Sequence, residues 1–254
     1  MKILICVPVF NRKKVTQLAL ENLQKYKQDA DLWVYNDWST EYDNDFLEPL
    51  CDKVIKLPES NKLAVKNEEN VKGMGVQHLR WHQFREFAKM DKYDAVYFTD
   101  SDAIHDPEFI TALKTLHSGF SLENGAKLPV CLYNAKNHIK STIEDFEYVS
   151  IRGTAPGISQ LFSKDMCRKI TSVLDSQPED PDYAWDYKCL EYLELPVLNT
   201  KTSYLEHFGA VENSMHTFAG DWDRDRAVNP TKYLKDTREG IIAYLENRSE
   251  KPAI

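Results

Sequence analysis

Ala95-Val96-Tyr97-Phe98-Thr99-Asp100-Ser101-Asp102 is an apolar run that stops abruptly at two acids flanking a serine. Five consecutive strand-favouring or small residues with no turn-former predict a strand buried on both faces, as in a parallel sheet. The pattern recurs upstream. Residues 2–10 form a nearly continuous apolar run, Leu32-Trp33-Val34-Tyr35 a short second one, and Lys53-Val54-Ile55-Lys56-Leu57 a third. Between them, residues 14–27 repeat apolar positions at helical spacing, a weaker helix covers 43–51, and residues 75–90 place Val76, Leu79, Phe84, Phe87 and Ala88 on a third. Strands alternating with helices make βαβ units. The reading is therefore an α/β fold with a Rossmann-like, mixed but mostly parallel sheet flanked by helices.

The second half is less regular. Strand-like runs occur at 129–133, 145–151 and near 196–200, and helices at 163–174 and 183–194. A polar stretch at 212–230 and a helix at about 237–247 close the chain. No repeat, low-complexity segment or Gly/Ser linker divides it, so residues 1–254 read as one domain. Its parts are residues 1–118, residues 119–230 with added antiparallel strands, and a C-terminal helix in 231–254.

Composition narrows the function classes. Lys and Arg number 32 against 40 Asp and Glu, a formal charge of −8, with 42% hydrophobic and 28% charged residues. That balance is globular, and it argues against nonspecific contact with nucleic acid or anionic lipid, which wants clustered bases. No apolar run approaches the ~18 residues of a membrane helix, so no integral membrane segment is expected. Cys6, Cys51, Cys131, Cys167 and Cys189 are odd in number and widely spaced, unlike a disulfide scaffold or zinc ribbon. The N-terminal apolar run contains Pro8 and meets Asn11-Arg12-Lys13-Lys14 without a small-residue cleavage site, so it reads as a strand rather than a leader. A cytoplasmic location is the expectation.

Ligands of open α/β sheets bind beyond the carboxyl ends of the strands. Three predicted strand ends carry polar residues: Asn11-Arg12, Asn36-Asp37 and Asp100-Ser101-Asp102. In an extended segment, residues i and i+2 point to one side, so Asp100 and Asp102 could face one hard cation. Mg²⁺ or Mn²⁺ suits such carboxylates together with phosphate oxygens. Asp106-Pro107-Glu108 reads instead as a helix start, with Asp106 structural. His78 and His82 lie at i, i+4, but no Glu follows His78 and no third ligand is evident, so they are not read as a zinc pair.

Taken in order, Val7-Pro8-Val9-Phe10-Asn11-Arg12, Val34-Tyr35-Asn36-Asp37-Trp38-Ser39-Thr40 and Tyr97-Phe98-Thr99-Asp100-Ser101-Asp102 resemble the successive signatures of family 2-type glycosyltransferases. The resemblance covers residues 1–118 well and is traceable to about 216. It implies the GT-A fold, with a nucleotide-sugar-binding half (1–118) and an acceptor-binding half (119–230). Pro8, Phe10, Asn11 and Arg12 would then lie along base and ribose. Asp37 would contact the base, although Asn36 stands at the family's first acidic position and Trp38 replaces a small residue. Lys72 or Arg80 would reach the diphosphate. Asp100, with Ser101 beside it, would touch ribose or the metal shell, and Asp102 would bind the metal. Asp186 matches the general base at the start of a later helix, with Trp185 in place of the first acid and Asp182 as backup. His216 matches a further metal ligand, and His207 is the lesser candidate.

The activity implied is a Mn²⁺- or Mg²⁺-dependent hexosyl- or pentosyltransferase, moving a sugar from a nucleoside-diphosphate sugar, UDP-sugar by default, to an acceptor hydroxyl with inversion. Two rivals are a sugar nucleotidyltransferase, which should carry a Gly-rich basic loop after the first strand, and a non-catalytic nucleotide-sugar- or carbohydrate-binding protein on a degenerate scaffold. The acceptor stays open among a saccharide, a polymer, a protein and a modified nucleobase.

Overall fold

Ile3–Val9 (β1) occupies the middle of the molecule's parallel ladder because all but one of its residues are buried. The computed structural model describes residues 1–58, 73–122, 125–177, 184–208 and 227–237. After β1 come helix α1 (Lys13–Tyr26), strand β2 (Asp31–Asn36), a short helix α2 (Asn44–Leu47), β3 (Lys53–Lys56), α3 (Gly75–Ala88) and β4 (Ala95–Thr99). Strands β1, β2, β3 and β4 are parallel, in the order β3-β2-β1-β4. The chain leaves β1 toward β2 on one side and reaches β4 on the other. That is a topological switch point, where a crevice opens at the carboxyl ends of β1 and β4.

The second half extends the same sheet. β5 (Ala103–His105), α4 (Phe109–Gly119), β6 (Val130–Cys131), β7 (Thr142–Asp145), β8 (Val149–Arg152), β9 (Ser159–Ser163), α5 (Lys164–Asp175), α6 (Trp185–Leu193), β10 (Val197–Thr200) and β11 (Leu205–His207) follow. The described sheet has nine strands in the order β3-β2-β1-β4-β9-β6-β10-β8-β7, antiparallel at β4–β9, β9–β6, β10–β8 and β8–β7. The parallel character is thus a property of the first half, and the sheet as a whole is mixed. β5 and β11 pair separately and antiparallel, with His207 opposite Ala103.

Helices α3, α5 and α6 cover one face. Phe84 of α3 meets Phe98, Phe162 and Trp185 at ring separations of 4.8, 5.2 and 6.2 Å. The register places Phe98 opposite Gln160 and Val96 opposite Phe162, so these side chains share that face. Tyr97 points the other way, to Phe109 of α4 at 5.9 Å. Truncating any of the central rings would cost about 3–5 kcal/mol. The five cysteines are all buried and free.

Several expectations need correction. The run at 145–151 is a hairpin, β7 and β8, closed by the Phe146 amide on the Val149 carbonyl at 2.9 Å. Strands β5, β9 and β11 were not anticipated. Residues 232–237 are helical, and the helix expected at about 237–247 lies, beyond 237, outside the described residues. Most of the 212–230 stretch lies outside them too. Among the described residues no helix is long and apolar enough to cross a membrane.

Candidate functional site

The turn after β1 is held in an uncommon conformation. Asn11 and Arg12 have φ of 51° and 57°, and Trp38 after β2 has φ 64°. Side chains rarely adopt this left-handed region, at a cost of about 1–3 kcal/mol each unless the surroundings hold them. Here they do. Asn11 Oδ1 accepts the amides of Thr40 and Glu41 at 2.7 and 3.2 Å, and its own amide donates to Ser39 Oγ at 3.1 Å. The β1 and β2 loops are thereby stitched into one unit. Pro8 and Phe10 lie half-buried beside it.

This turn aims Arg12 at the acids after β4. Arg12 Nη1 meets Asp102 Oδ2 at 2.8 Å, and His207 Nε2 stands 3.3 Å from Asp102 Oδ1. Burial pushes the Asp102 carboxyl up, but His207 and Arg12 outweigh it and hold the group well below the usual carboxylate range. Asp100 goes elsewhere, to Arg80 Nη2 at 2.7 Å, and burial raises its pKa. The expectation that both carboxylates face one point assumed extended backbone through residue 102. The extended strand ends at Thr99, and Ser101 and Asp102 form a turn into β5, so the two acids take different partners. Ser101 sits half-buried in that turn.

Arg80 is also placed differently from the expected phosphate contact. Its side chain is fully buried and bound to the Cys6 carbonyl at 3.3 Å, the Thr99 carbonyl at 2.7 Å, Gln83 at 2.9 Å and Asp100. It organises the β1–β4 edge from beneath. Lys72, the other phosphate candidate, lies outside the described residues.

Asp37 is buried, and its two oxygens accept the amides of Met74 and Gly75 at 2.6 and 2.8 Å. The carboxylate expected at the nucleotide base thus closes the N-terminus of α3, which has no cap of its own. Burial raises its pKa against these two bonds. Gly73 is required for the approach: a Cβ there would stand 3.1 Å from the Asp37 carbonyl and 3.2 Å from its carboxylate. Beside this unit, a cleft of about 600 Å³ is lined by Asn36, Trp38, Tyr42, Asn44 and Lys56.

Asp186 occupies the first turn of α6. This helix also lacks a cap of its own, and Gln77 Oε1 of α3 accepts the Trp185 amide at 2.7 Å instead. Trp185 packs so closely on Gly157 that a Cβ there would lie 2.9 Å from the ring. Burial pushes the Asp186 carboxyl up to about 6, against the amides of Tyr187 and Gly157, and the charge of Asp100 adds to the rise. Asp182 and His216 lie outside the described residues.

The residue that sequence reasoning undervalued is His207. Its signal lies in the pairing of β11 with β5, which puts the Phe208 amide on the Asp102 carbonyl at 2.8 Å. As to a metal, two ligands at right angles around a cation with ~2.1 Å bonds stand about 3 Å apart, and the Asp102–His207 separation suits such a pair. The Asp102 carboxylate is the donor type that Mn²⁺ and Mg²⁺ prefer, and an imidazole beside it suits the later transition metals better. Among the described residues no group of three or more His, Cys, Asp or Glu is placed to hold an ion.

No family model and no curated protein matches the chain. Solved structures do. A crystal structure of S. aureus TarS matches with TM-score 0.54 at 16% identity, over 81% of this chain and 36% of that one. A crystal structure of its residues 1–349 matches with TM-score 0.54 at 14% identity, over 96% and 65%. The mannosyltransferase PcManGT from Pyrobaculum calidifontis, in complex with GDP-Man and Mn2+, matches with TM-score 0.50 at 14% identity, over 77% and 53%. The chain thus spans between about a third and two thirds of the length of these structures. At such identities the common property is the fold: a mixed, helix-flanked α/β sheet.

Proposed function

We propose that the chain is a metal-dependent glycosyltransferase that moves a sugar from a nucleoside-diphosphate sugar to an acceptor hydroxyl, with inversion and with Asp186 as general base. One observation carries the reading. Asp102, just past the end of β4, is gripped by two cationic groups, Arg12 at 2.8 Å and His207 at 3.3 Å, which favour its ionised form. Asp186, by contrast, is buried in the first turn of α6 without a cationic partner among the described residues, and burial pushes it up to about 6. Paired carboxyls of this kind divide the labour of acid–base chemistry. Asp102 stays ionised at any working pH and serves a cation or diphosphate. Asp186 accepts a proton near neutrality, where a base is most effective.

In this reading Asp102 and His207 would hold Mn²⁺ or Mg²⁺, with His216 as a further ligand, while Asp100, bound to Arg80, stands beside the ion's place. The ion would neutralise charge on the departing diphosphate. Arg12, which lies against Asp102, would offer its guanidinium to the phosphate oxygens. Pro8, Phe10, Asn11 and Ser101 line the donor, and UDP is the default nucleotide. The cleft beside Trp38 supports a base lodged there, near the loop that the Asp37 carboxylate fixes. The acceptor O–H lies against Asp186. Its proton passes to Asp186 as the oxygen bonds the anomeric carbon and the bond to the diphosphate oxygen breaks. Holding both substrates in line supplies much of the rate.

The test is nucleoside diphosphate release from a panel of nucleotide sugars with Mn²⁺, preceded by a thermal-shift screen in which a bound donor raises the melting temperature. Asp102→Ala should lower turnover about 1000-fold, equivalent to about 4 kcal/mol of transition-state stabilisation. Unimpaired turnover in that variant would falsify the assignment, and pyrophosphate release in place of nucleoside diphosphate would point to nucleotidyl transfer.

A further inference from the structure

Arg12 and Arg80 each meet an acid, Asp102 at 2.8 Å and Asp100 at 2.7 Å. Arg152, at the end of β8, is treated differently. It is 3% exposed, and its hydrogen bonds go to neutral acceptors, from Nε to Ser150 Oγ and from Nη2 to Asn134 Oδ1, both at 2.9 Å. Its Nη1 is buried without any hydrogen bond among the described residues. Asp145, whose charge reaches it, is itself paired with Lys201 at 2.8 Å. A guanidinium does not give up its proton. Among the described residues no carboxylate pairs with Arg152 directly, and a buried cation so weakly matched is expensive, since proteins ordinarily match it with an anion.

The register locates this cation. Cys131 of β6 stands opposite Asn199 of β10, and Asn199 opposite Ser150 of β8, so Ser150 and Arg152 share one face with Asn199 and Cys131. Val130 stands opposite Leu161, which puts Cys131 on the face of Gln160, the face that α6 covers. Arg152 and Asp186 both act on the Cys131 thiol, with opposite sign. On the same face Asn199 Oδ1 is a buried acceptor without a partner among the described residues. The charge of Arg152 is felt by its neighbours: His138 is pushed down to about 4 by burial, then by Arg152 and Lys140.

We propose that Arg152 is the recognition point for an oxyanion, phosphate or carboxylate, carried by the acceptor and seated on the sheet face beside Asp186. This rests on the transferase reading, and it names the acceptor class that the donor edge leaves open. Asn134 and Ser150 fix the guanidinium, Nη1 receives the anion, and Asn199 Oδ1 accepts from a neighbouring hydroxyl of the same acceptor.

The first arm of the test needs no turnover. The full chain is titrated with sodium phosphate and, separately, sodium acetate at constant ionic strength, following the Arg152 Nε–Hε NMR signal, assigned by its absence in Arg152→Lys, and, in wild type and variants alike, the backbone amide signals of Asn134 and Ser150, whose side chains hold the guanidinium. A saturable shift is expected, with phosphate affinity roughly 10- to 100-fold weaker in Arg152→Gln and partly restored in Arg152→Lys, the loss of one charged hydrogen-bond partner. The acetate arm tells a carboxylate site from a phosphate site. An unmoved Arg152 signal, or equal affinity in wild type and Arg152→Gln, overturns the proposal and assigns any bound ion to the donor edge. Should Arg152→Gln fail to fold, Asn134→Ala serves, with a loss of about 3- to 10-fold expected and no loss counting against the site. The second arm compares a methyl glycoside with its 6-phosphate as acceptors. The phosphorylated acceptor should have the higher kcat/KM, chiefly through KM, and equal values overturn the proposal. Absence of diphosphate release with every donor defeats the transferase reading alone, since the titration reports on Arg152 without it.

Discussion

At the β1–β4 end of the sheet, Arg80 lies between the rings of Phe98 and Trp185, 5.1 and 5.2 Å from their centroids, and its charge is met by Asp100 and two backbone carbonyls. At the β8 end, Arg152 is almost as deeply buried, yet amide and hydroxyl oxygens are its described partners. Arg80 reaches in from helix α3 and Arg152 rises from β8, both on the helix-covered side of one sheet. The difference teaches that burial of a charge has two uses. A matched charge fixes neighbouring groups. An unmatched one stores affinity for something that arrives later.

The comparison can be broken by experiment. The largest expected effect on stability is Arg80→Met, which strands Asp100 and should cost about 3–5 kcal/mol, read by urea unfolding; a loss below 1 kcal/mol would show that Arg80 is not the organiser of that edge. Next comes Asp186→Asn, which should lower turnover about 100- to 10,000-fold with donor affinity retained. The wild-type rate should rise with pH through about 6 as Asp186 ionises. The linked stability runs the other way. A carboxyl whose folded pKa is raised stabilises below its unfolded pKa and loses that contribution as pH rises through about 6. Asp186→Asn should therefore melt higher than wild type at pH 8 and not at pH 4, and matching differences at both would remove the burial argument.

Smaller again is Gly73→Ala, which pushes on the Asp37 carboxylate and should destabilise by about 1–3 kcal/mol, with the amide protection of Met74 and Gly75 reduced in hydrogen exchange. Unchanged protection would mean that the loop yields freely. The smallest effect is Arg152→Met. Removing an unmatched cation offsets the loss of its two hydrogen bonds, so stability should stay within about 1 kcal/mol of wild type. A loss as large as that of Arg80→Met would erase the distinction between the two arginines.

The parallel half of the fold was legible because its strands are apolar without interruption and its helices keep their period. β9 was not, since Ser159-Gln160-Leu161-Phe162-Ser163 buries polar side chains that the interior satisfies: Ser159 Oγ pairs with Tyr97 OH at 2.8 Å, and Gln160 donates to the Ala155 carbonyl at 3.2 Å. The β7–β8 hairpin turns at Phe146-Glu147-Tyr148, where no Gly, Pro or Asn announces it. β5 and β11 have three residues each, too few to show a period. At the site, the acids after β4 were visible as a motif. Their partners were not, because Arg12, Arg80 and His207 reach them across sequence separations that only the sheet closes. Nothing in the letter at position 152 says whether its charge is answered.

The borrowed caps at α3 and α6 tie the stability of each helix start to a neighbouring element. Neither start has a side-chain cap of its own: one leans on Asp37 from the β2 loop, the other on Gln77 from α3. Loosening the β2 loop therefore weakens the start of α3, and loosening α3 weakens the turn that carries Asp186. On warming, this chain of dependence should loosen first, so the ability to turn over substrate should fade at a lower temperature than the one at which the sheet itself melts.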